Sequence, residues 1–221
     1  MRKLVYFTAL IAVSLLFIQC EQFSFQKDKH EYVDLGLSVK WATCNVGAEN
    51  PEDNGNYYAW GETETRESYF LDYKFWEGSY PNATIIKYNT DEKFGDVDNK
   101  STLDLADDAA YVNWGGKWRM PTKVEMEELV NNCTWQLVTK NSVFCYSVTG
   151  PNGNSIFLPL SGYKSSSDKI QYEGTIGQYW SSSLDEKDNC WANVLVVWDD
   201  NGASVSADVR SFGFSIRPVC E

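Results

Sequence analysis

Histidine is nearly absent from this chain of 221 residues, and His30 is the only one. That removes Ser-His-Asp and Cys-His catalysis and every zinc site built on histidine, since each needs an imidazole beside a second reactive group. No Cys-x-x-Cys pair occurs, so zinc spacing based on cysteine alone is missing too. Basic clusters are also lacking: Lys and Arg number 19 against 31 Asp and Glu, a formal net charge of −12. Nucleic acid, whose phosphates demand clustered cations, is excluded as a partner. Gly115-Gly116 is no phosphate loop, because it lacks the GxxxxGK[ST] pattern and follows a helix-like segment where a strand is required. "DVDNKS", Asp96 to Ser101, begins like a calcium loop but has no glycine at its sixth position and no glutamate at its twelfth. Glycosidases need two acids about 5–9.5 Å apart across a sugar cleft. Acids such as Glu62 and Glu64 are present, but no spacing singles out a pair.

A long apolar run is scarce as well. Leu4 to Ile18 spans fifteen residues, short of the roughly 20 that cross a bilayer. With Arg2 and Lys3 before it, the run has the form of a secretory signal over residues 1–19. Leu16-Phe17-Ile18-Gln19-Cys20 resembles a bacterial lipobox, departing from the pattern at Gln19, where a small residue is usual. The resemblance implies that Cys20 is lipidated, that 20–30 is a polar tether, and that the mature chain sits in the cell envelope as an outer-membrane lipoprotein. Beyond the signal lie Cys44, Cys133, Cys145, Cys190 and Cys220. Export permits disulfides, and five being odd, at least one thiol stays free or pairs between molecules.

Aromatic residues are plentiful: nine Trp and thirteen Tyr help make up a 15% aromatic share, enough for a sizeable core and too much for a disordered chain. The roughly 200 residues after the signal fit one domain, 31–221. Val33, Leu35, Leu37, Val39 and Trp41 alternate strictly, which predicts a strand with one buried face. A turn-rich stretch through Tyr57-Tyr58-Ala59-Trp60 follows. Two helices come next. The first, in "STLDLADDAAYVNWGG", has Leu105, Ala109 and Val112 on one face, a cap at Ser101 or Thr102, and a stop at Gly115. The second, in "PTKVEMEELVNN", opens on a capping box of Thr122 and Glu125. Between them "WGGKWRMPT" reads as a connector with Trp114 and Trp118 as core anchors and Arg119 able to pair with an acid. After Cys133 come short β-branched or aromatic runs: "SVFCYSVTG", "SIFLPLSGY", "CWANVLVVW", "ASVSADVR" and "FGFSIRPV". Asn-Gly in "DDNGA" signals a hairpin. Strand, two helices, then strands is an α+β order.

Five ordered segments carry a family resemblance: "VDLGLSVKWATCNVGAENPEDNGNYYAWGE", "DDAAYVNWGGKWRMPT", "IFLPLSGY", "GQYWSSS" and "RSFGFSIRPV". Together they resemble the Fibrobacter succinogenes major paralogous domain family of exported Bacteroidetes proteins. The resemblance implies a C-type-lectin-like fold with a mixed or antiparallel twisted sheet, two helices and long loops. It also implies kinship with the formylglycine-generating group, although that group's copper-binding cysteine pair and the sugar-and-calcium motifs of lectins are not recognisable here. The fold hosts binding and catalysis alike, so function must come from the site. From "YWSSS" to "GFSIRPV" the chain is also similar to the C-terminal region of variable proteins made by diversity-generating retroelements, where ligand-facing residues lie between fixed ends. That interval here includes Asp185 and Asn189. The residues expected to bind are Trp191, Asn193, Trp198, Asp199, Asn201, Ser204, Ser206, Asp208 and Arg210. Aromatic and short polar side chains together give contact area with adaptable hydrogen bonding.

The resulting expectation is a non-catalytic lipoprotein that binds a glycan or a cell-surface protein, with no cofactor and no metal. Alternatives are a structural or adhesin-type subunit of an envelope assembly and, more distantly, an enzyme of the formylglycine-generating kind. Lipidation is directly testable: cells expressing the chain should incorporate radiolabelled palmitate into it, and Cys20→Ala should abolish the label. An unlabelled wild type refutes the lipoprotein reading.

Overall fold

The alternation from Val33 to Trp41 persists as a pattern of burial but not as a strand. In the computed structural model, which describes residues 30–70, 72–78, 83–167, 169–200 and 202–221, Leu35, Val39 and Trp41 are buried. Extended pairing is confined to β1 (Tyr32–Val33) and β2 (Lys40–Ala42). Gly36 breaks the run: its φ is +76° and its N–H donates to Asp34 Oδ1 at 2.8 Å, a side-chain turn that a ladder cannot contain. The signal, Cys20 and most of the tether lie outside the described residues, as does Asn201. Among the described residues, no helix is long and apolar enough to cross a membrane.

The chain folds as α+β, with two helices, several antiparallel sheets and long loops. Helix α1 (Ala109–Trp114) is shorter than its sequence suggests. A 3-10 turn, Leu105–Asp107, precedes it, and the cap is Asp108 rather than Ser101 or Thr102. The Asp108 carboxylate accepts from Tyr111 N at 3.0 Å and Met120 N at 2.8 Å, tying the helix start to the connector beyond its end. Of the expected apolar face only Ala109 is buried, together with Ala110, while Leu105 and Val112 are exposed. Gly115, φ +69°, ends the helix as anticipated. Helix α2 (Lys123–Asn132) does carry the capping box, and it buries Met126 and Leu129. Arg119 forks onto Glu125 at 2.8 and 2.6 Å while Glu125 also accepts from Thr122 N at 2.7 Å. Trp118 is fully buried, and the partly buried Trp114 stacks on His30 with ring centroids 3.7 Å apart.

Six strands make two three-stranded antiparallel sheets. One is β5 (Thr134–Lys140), β6 (Val143–Thr149) and β7 (Ser155–Pro159). The other is β8 (Ile176–Leu184), β9 (Trp191–Trp198) and β10 (Gly202–Val209), with β9 in the middle. Shorter pairings join β3 (Trp76–Glu77) to β4 (Thr84–Ile85), and β2 to β11 (Val219–Cys220). Strands β3, β4, β5 and β8 are additions to the sequence reading, and of the expected strand "FGFSIRPV" only Val219 belongs to a strand, β11.

Strand β9 explains why "WANVLVVW" is continuously apolar. Its alternate residues enter different cores. Ala192, Val194 and Val196 join an aromatic cluster with Trp60, Tyr73, Phe75, Tyr88 and Trp180. Leu195 and Val197 join an aliphatic cluster with Leu35, Trp41, Met126, Leu129 and Tyr179. Helix α2 covers that second face. The turn-rich 45–62 stretch is pinned to the sheet by indoles: Trp60 Nε1 donates to Ser181 O at 2.8 Å and Trp180 Nε1 to Tyr58 O at 2.9 Å.

Two fully buried arginines close the irregular part of the fold. Arg210 donates to the backbone carbonyls of Tyr88 (3.1 Å), Asn189 (2.9 Å) and Lys87 (2.9 Å) and to the Tyr73 hydroxyl (3.2 Å). Its guanidinium carbon lies 4.7 Å from the Trp60 ring centroid, with Tyr73, Phe75 and Tyr88 around it. Arg217 donates to Asn45 Oδ1 at 2.8 Å and to the carbonyls of Ala42 and Thr43 at 3.1 and 2.7 Å. Burial lowers the Arg217 guanidinium to about 10, so it remains charged at neutral pH. Replacing Arg210 by Met should cost at least about 4 kcal/mol in urea unfolding, because several buried carbonyls lose their donor at once. Arg210→Lys should recover little of this, since a point ammonium cannot span the planar fork.

Candidate functional site

The pleat of the C-terminal sheet sorts the residues expected to bind. Cross-strand pairs Val196↔Ser204, Val194↔Ser206 and Ala192↔Asp208 place Trp198, Ser204, Ser206 and Asp208 on the face that also carries Gln178. Toward the middle of the sheet this face is covered by the aromatic core, and at β10 it opens, with Ser206 exposed and Ser204 and Asp208 half-buried. Asp199 is exposed at the tip of the β9–β10 hairpin.

Three other expected residues stand elsewhere. Trp191 is 40% exposed but belongs to the opposite face. It lies seven residues from Trp198, about 23 Å along the strand at about 3.3 Å per residue. The two tryptophans that flank the hairpin in sequence therefore cannot contact one ligand together on one face. Asn193 is buried, its amide donating to Ser183 O at 3.3 Å and Leu184 O at 2.8 Å, where it holds the irregular end of β8. Arg210 is interior with its donors committed as described, so neither residue presents a free polar group to a ligand. Within the same interval, Asn189 is buried against Asn89 and Thr90, and Asp185 accepts from Lys187 N and Asp188 N in its own loop.

What sequence reading missed is a row of ring contacts that comes near β10, where Tyr163 lies close enough to Asp208 to feel its charge. Tyr172 stacks near Tyr163 (centroids 5.8 Å, planes 19° apart), and Tyr163 near Phe212 (6.0 Å, 15°). Phe212 is followed by Phe70 (6.0 Å) and Phe70 by Trp76 (6.4 Å). Tyr172 is 59% exposed and the other four are partly so. Reciprocal backbone hydrogen bonds between Lys164 and Gly213, 2.9 and 2.8 Å, clamp Tyr163 beside Phe212. Phe70, Asp72 and Tyr172 all have positive φ, at 84°, 56° and 56°. For residues with side chains this costs about 1–3 kcal/mol each, and such strain concentrates at functional sites. The rings come from three distant segments, so no local spacing announces them. The available signal was aromatic density inside turn-rich stretches, as in "YFLDYKFW".

Asp208 stands where the row meets β10. Its oxygens accept from Gln178 Nε2 at 3.0 Å and from its neighbour Val209 N at 2.7 Å, and among the described residues no cation pairs with it. Burial pushes its carboxyl above the usual range. Each oxygen keeps acceptor capacity for a donor from outside.

Other constellations are committed internally. Glu62 accepts from Arg66 Nη2 and from Lys74 N, and burial raises its carboxyl. It lines an open cavity of about 360 Å³ with Glu64 and Arg66. The Asp98 carboxylate accepts from Tyr88 N, Asn89 N and Lys100 N, so the calcium-like segment spends it on the backbone. Among the described residues, no three His, Cys, Asp or Glu side chains are grouped to hold a metal. Cys44, Cys133, Cys145 and Cys190 are free thiols. Comparison with known proteins adds no relative: no family model matches the chain, and neither does any curated protein or solved structure.

Alkylation resolved by mass spectrometry should order the thiols. Burial lifts Cys133 and Cys190 to about 11, so at pH 8 only about one thiol in a thousand is the reactive thiolate. Both should label slowly and accelerate as pH rises, while buried Cys145 should label only on unfolding. Fast labelling of Cys133 or Cys190 at pH 8 would contradict the burial described.

Proposed function

We propose that the chain is a non-catalytic exported lipoprotein whose single C-type-lectin-like domain binds a glycan or a cell-surface protein through the open β10 margin of its C-terminal sheet. The observation that carries this reading is the convergence of Trp198, Ser204, Ser206 and Asp208 on one face bordered by the strained row of rings. Rings supply contact area at low entropic cost, and short polar side chains supply adaptable hydrogen bonds. An envelope location rests on the signal-like leader and Cys20. The C-type-lectin-like topology rests on the five ordered motifs, with which the α+β order and long loops agree.

A second reading, a structural or adhesin-type subunit, draws on a different place. Strand β5 is a sheet edge, and Leu137 and Phe144 near it are exposed, a surface onto which another chain could add.

Glycan and protein arrays probed with residues 21–221 decide between them. Binding should appear, and Trp198→Ala combined with Ser206→Arg should weaken it at least tenfold, with Trp191→Ala nearly neutral. Circular dichroism melts show whether each variant remains folded. Binding that persists in the folded double variant but is lost in Trp191→Ala would move the site to the other face. Blank arrays with recovery of a stable envelope complex would favour the subunit reading.

A further inference from the structure

Starting from the free edge of β5 and independent of any ligand, we propose that two copies of this chain pair antiparallel through β5. Their three-stranded sheets then join into one across a two-fold axis centred on Leu137. The register follows from the hairpin. Asn141 and Ser142, both at positive φ (48° and 69°), make a two-residue turn that closes on the pair Lys140↔Val143. Such a turn makes its closing pair a hydrogen-bonded one, and bonded and non-bonded pairs alternate from there. The pairing runs from Lys140↔Val143 back to Thr134↔Thr149 without a bulge. Gln136 and Val138 therefore bond to β6, while Trp135, Leu137 and Thr139 turn their N–H and C=O groups away from it. Phe144, opposite Thr139, agrees: its carbonyl accepts from Leu160 N at 2.9 Å, on the β7 side. Among the described residues, no other backbone group pairs with the outward groups of Trp135, Leu137 and Thr139.

What this edge offers is complementary to itself. Antiparallel pairing about Leu137 sets Leu137 against Leu137 and Trp135 against Thr139 of the second copy. Every outward donor on one strand then meets an outward acceptor on the other. A slip of one residue would oppose outward groups with inward ones and exchange the faces. The side chains fit the same register. Leu137, 39% exposed, gains its own image as an apolar partner, and Trp135 with Thr139 is an aromatic and β-branched cross-strand pair. Charge permits it too. The strand reads TWQLVTK, and its one charged residue, Lys140, faces uncharged Thr134 of the second copy while keeping its ion pair with Glu52 at 3.3 Å.

The other outer strands are guarded. Edges in natural proteins are blocked by charge, proline, bulges or covering segments. Strand β7 ends in Pro159 and has no exposed residue. Strand β8 is covered by the bridges Gly162↔Gly177 and Tyr179↔Ser215. Strand β10 carries Asp208 and exposes only Ser206. Strand β5 has none of these devices and exposes Thr134, Gln136, Leu137 and Thr139.

Sedimentation equilibrium of residues 21–221 should show monomer–dimer exchange with a Kd on the order of 10 μM, because one strand pair is smaller than a standard interface. Added salt should tighten the dimer by screening the repulsion between two acidic copies. Leu137→Lys opposes two like charges at the axis and should weaken association at least about tenfold. Leu137→Pro should do the same with a melting temperature close to wild type, since the N–H it removes bonds nothing within the monomer. Leu137→Cys should be oxidised by diamide to a covalent dimer, because bonded pairs place their Cα atoms about 5.5 Å apart, within disulfide reach. Peptide mapping assigns that link to position 137 rather than to a native thiol. Thr139→Cys should not link, its copies standing about 13 Å apart along the strands. A chain still monomeric at about twenty times that Kd overturns the proposal. So does a dimer that persists in folded Leu137→Lys and Leu137→Pro, or a link that forms equally well at position 139. An envelope protein captured by the wild type and lost in Leu137→Pro, without self-association, would give the edge to a foreign chain and overturn self-pairing.

Discussion

The structure depends on how it buries the positive charge of Arg210. Desolvating a guanidinium is costly unless its donors are satisfied. Among the described residues no carboxylate meets it. Carbonyls of Lys87, Tyr88 and Asn189 take its N–H groups, and Trp60, Tyr73, Phe75 and Tyr88 surround its plane. These groups come from segments with almost no regular structure, in which backbone hydrogen bonds cannot be satisfied by a ladder. The guanidinium gives them a common partner. Arg217 does the same for Ala42, Thr43 and Asn45, seven residues later in the chain. Long loops that would otherwise cost ordering entropy without return are thus organised by two side chains.

That arrangement fixes the candidate site. Phe212 and Gly213 lie between the two arginines, and the backbone of Gly213 pairs with Lys164. Gly213 also sits against the Tyr69 ring, where a Cβ would come within 2.8 Å, so the loop bearing Phe70 closes on the same short span. The ring row is therefore an outer layer of the arginine-centred core. Its strained residues persist because the layer beneath them is over-determined. Removing Tyr172 disturbs only the row, whereas removing Arg210 disturbs what the row stands on.

Much of this architecture was legible in the sequence where a local rule was sufficient. The Thr122–Glu125 box, the stop at Gly115, the β9–β10 hairpin and the buried Trp118 each follow from a few adjacent residues. The failures share a cause. Gly36 turned an alternating run into two short strands because its N–H donates to the Asp34 carboxylate, a bond that competes with the ladder. The face of α1 was misjudged because Leu105 belongs to a separate 3-10 turn, so helical spacing never applied to it. For the site, proximity in sequence placed Trp191 beside Trp198, but the period of two puts them on opposite faces. Arg210 was expected to meet a ligand because it lies in the interval between "YWSSS" and "GFSIRPV", and nothing local reveals a cage assembled from Trp60, Tyr73 and Tyr88.

The division of labour along β10 explains how such a face could vary without loss of the fold. Ala203 and Val205 pack on the aliphatic core, while Ser204 and Ser206, one residue on in each case, point to the open side. Substitution at the open positions alters what a ligand meets and leaves both cores and both arginine cages untouched. Substitution at the closed positions changes core volume, with costs of a few kcal/mol. Asp208 is the exception on the open side, because it also receives the Gln178 amide that joins β8 to β10. Variation in binding should therefore concentrate at Ser204, Ser206 and the hairpin tip, while Asp208 remains restricted by its double role.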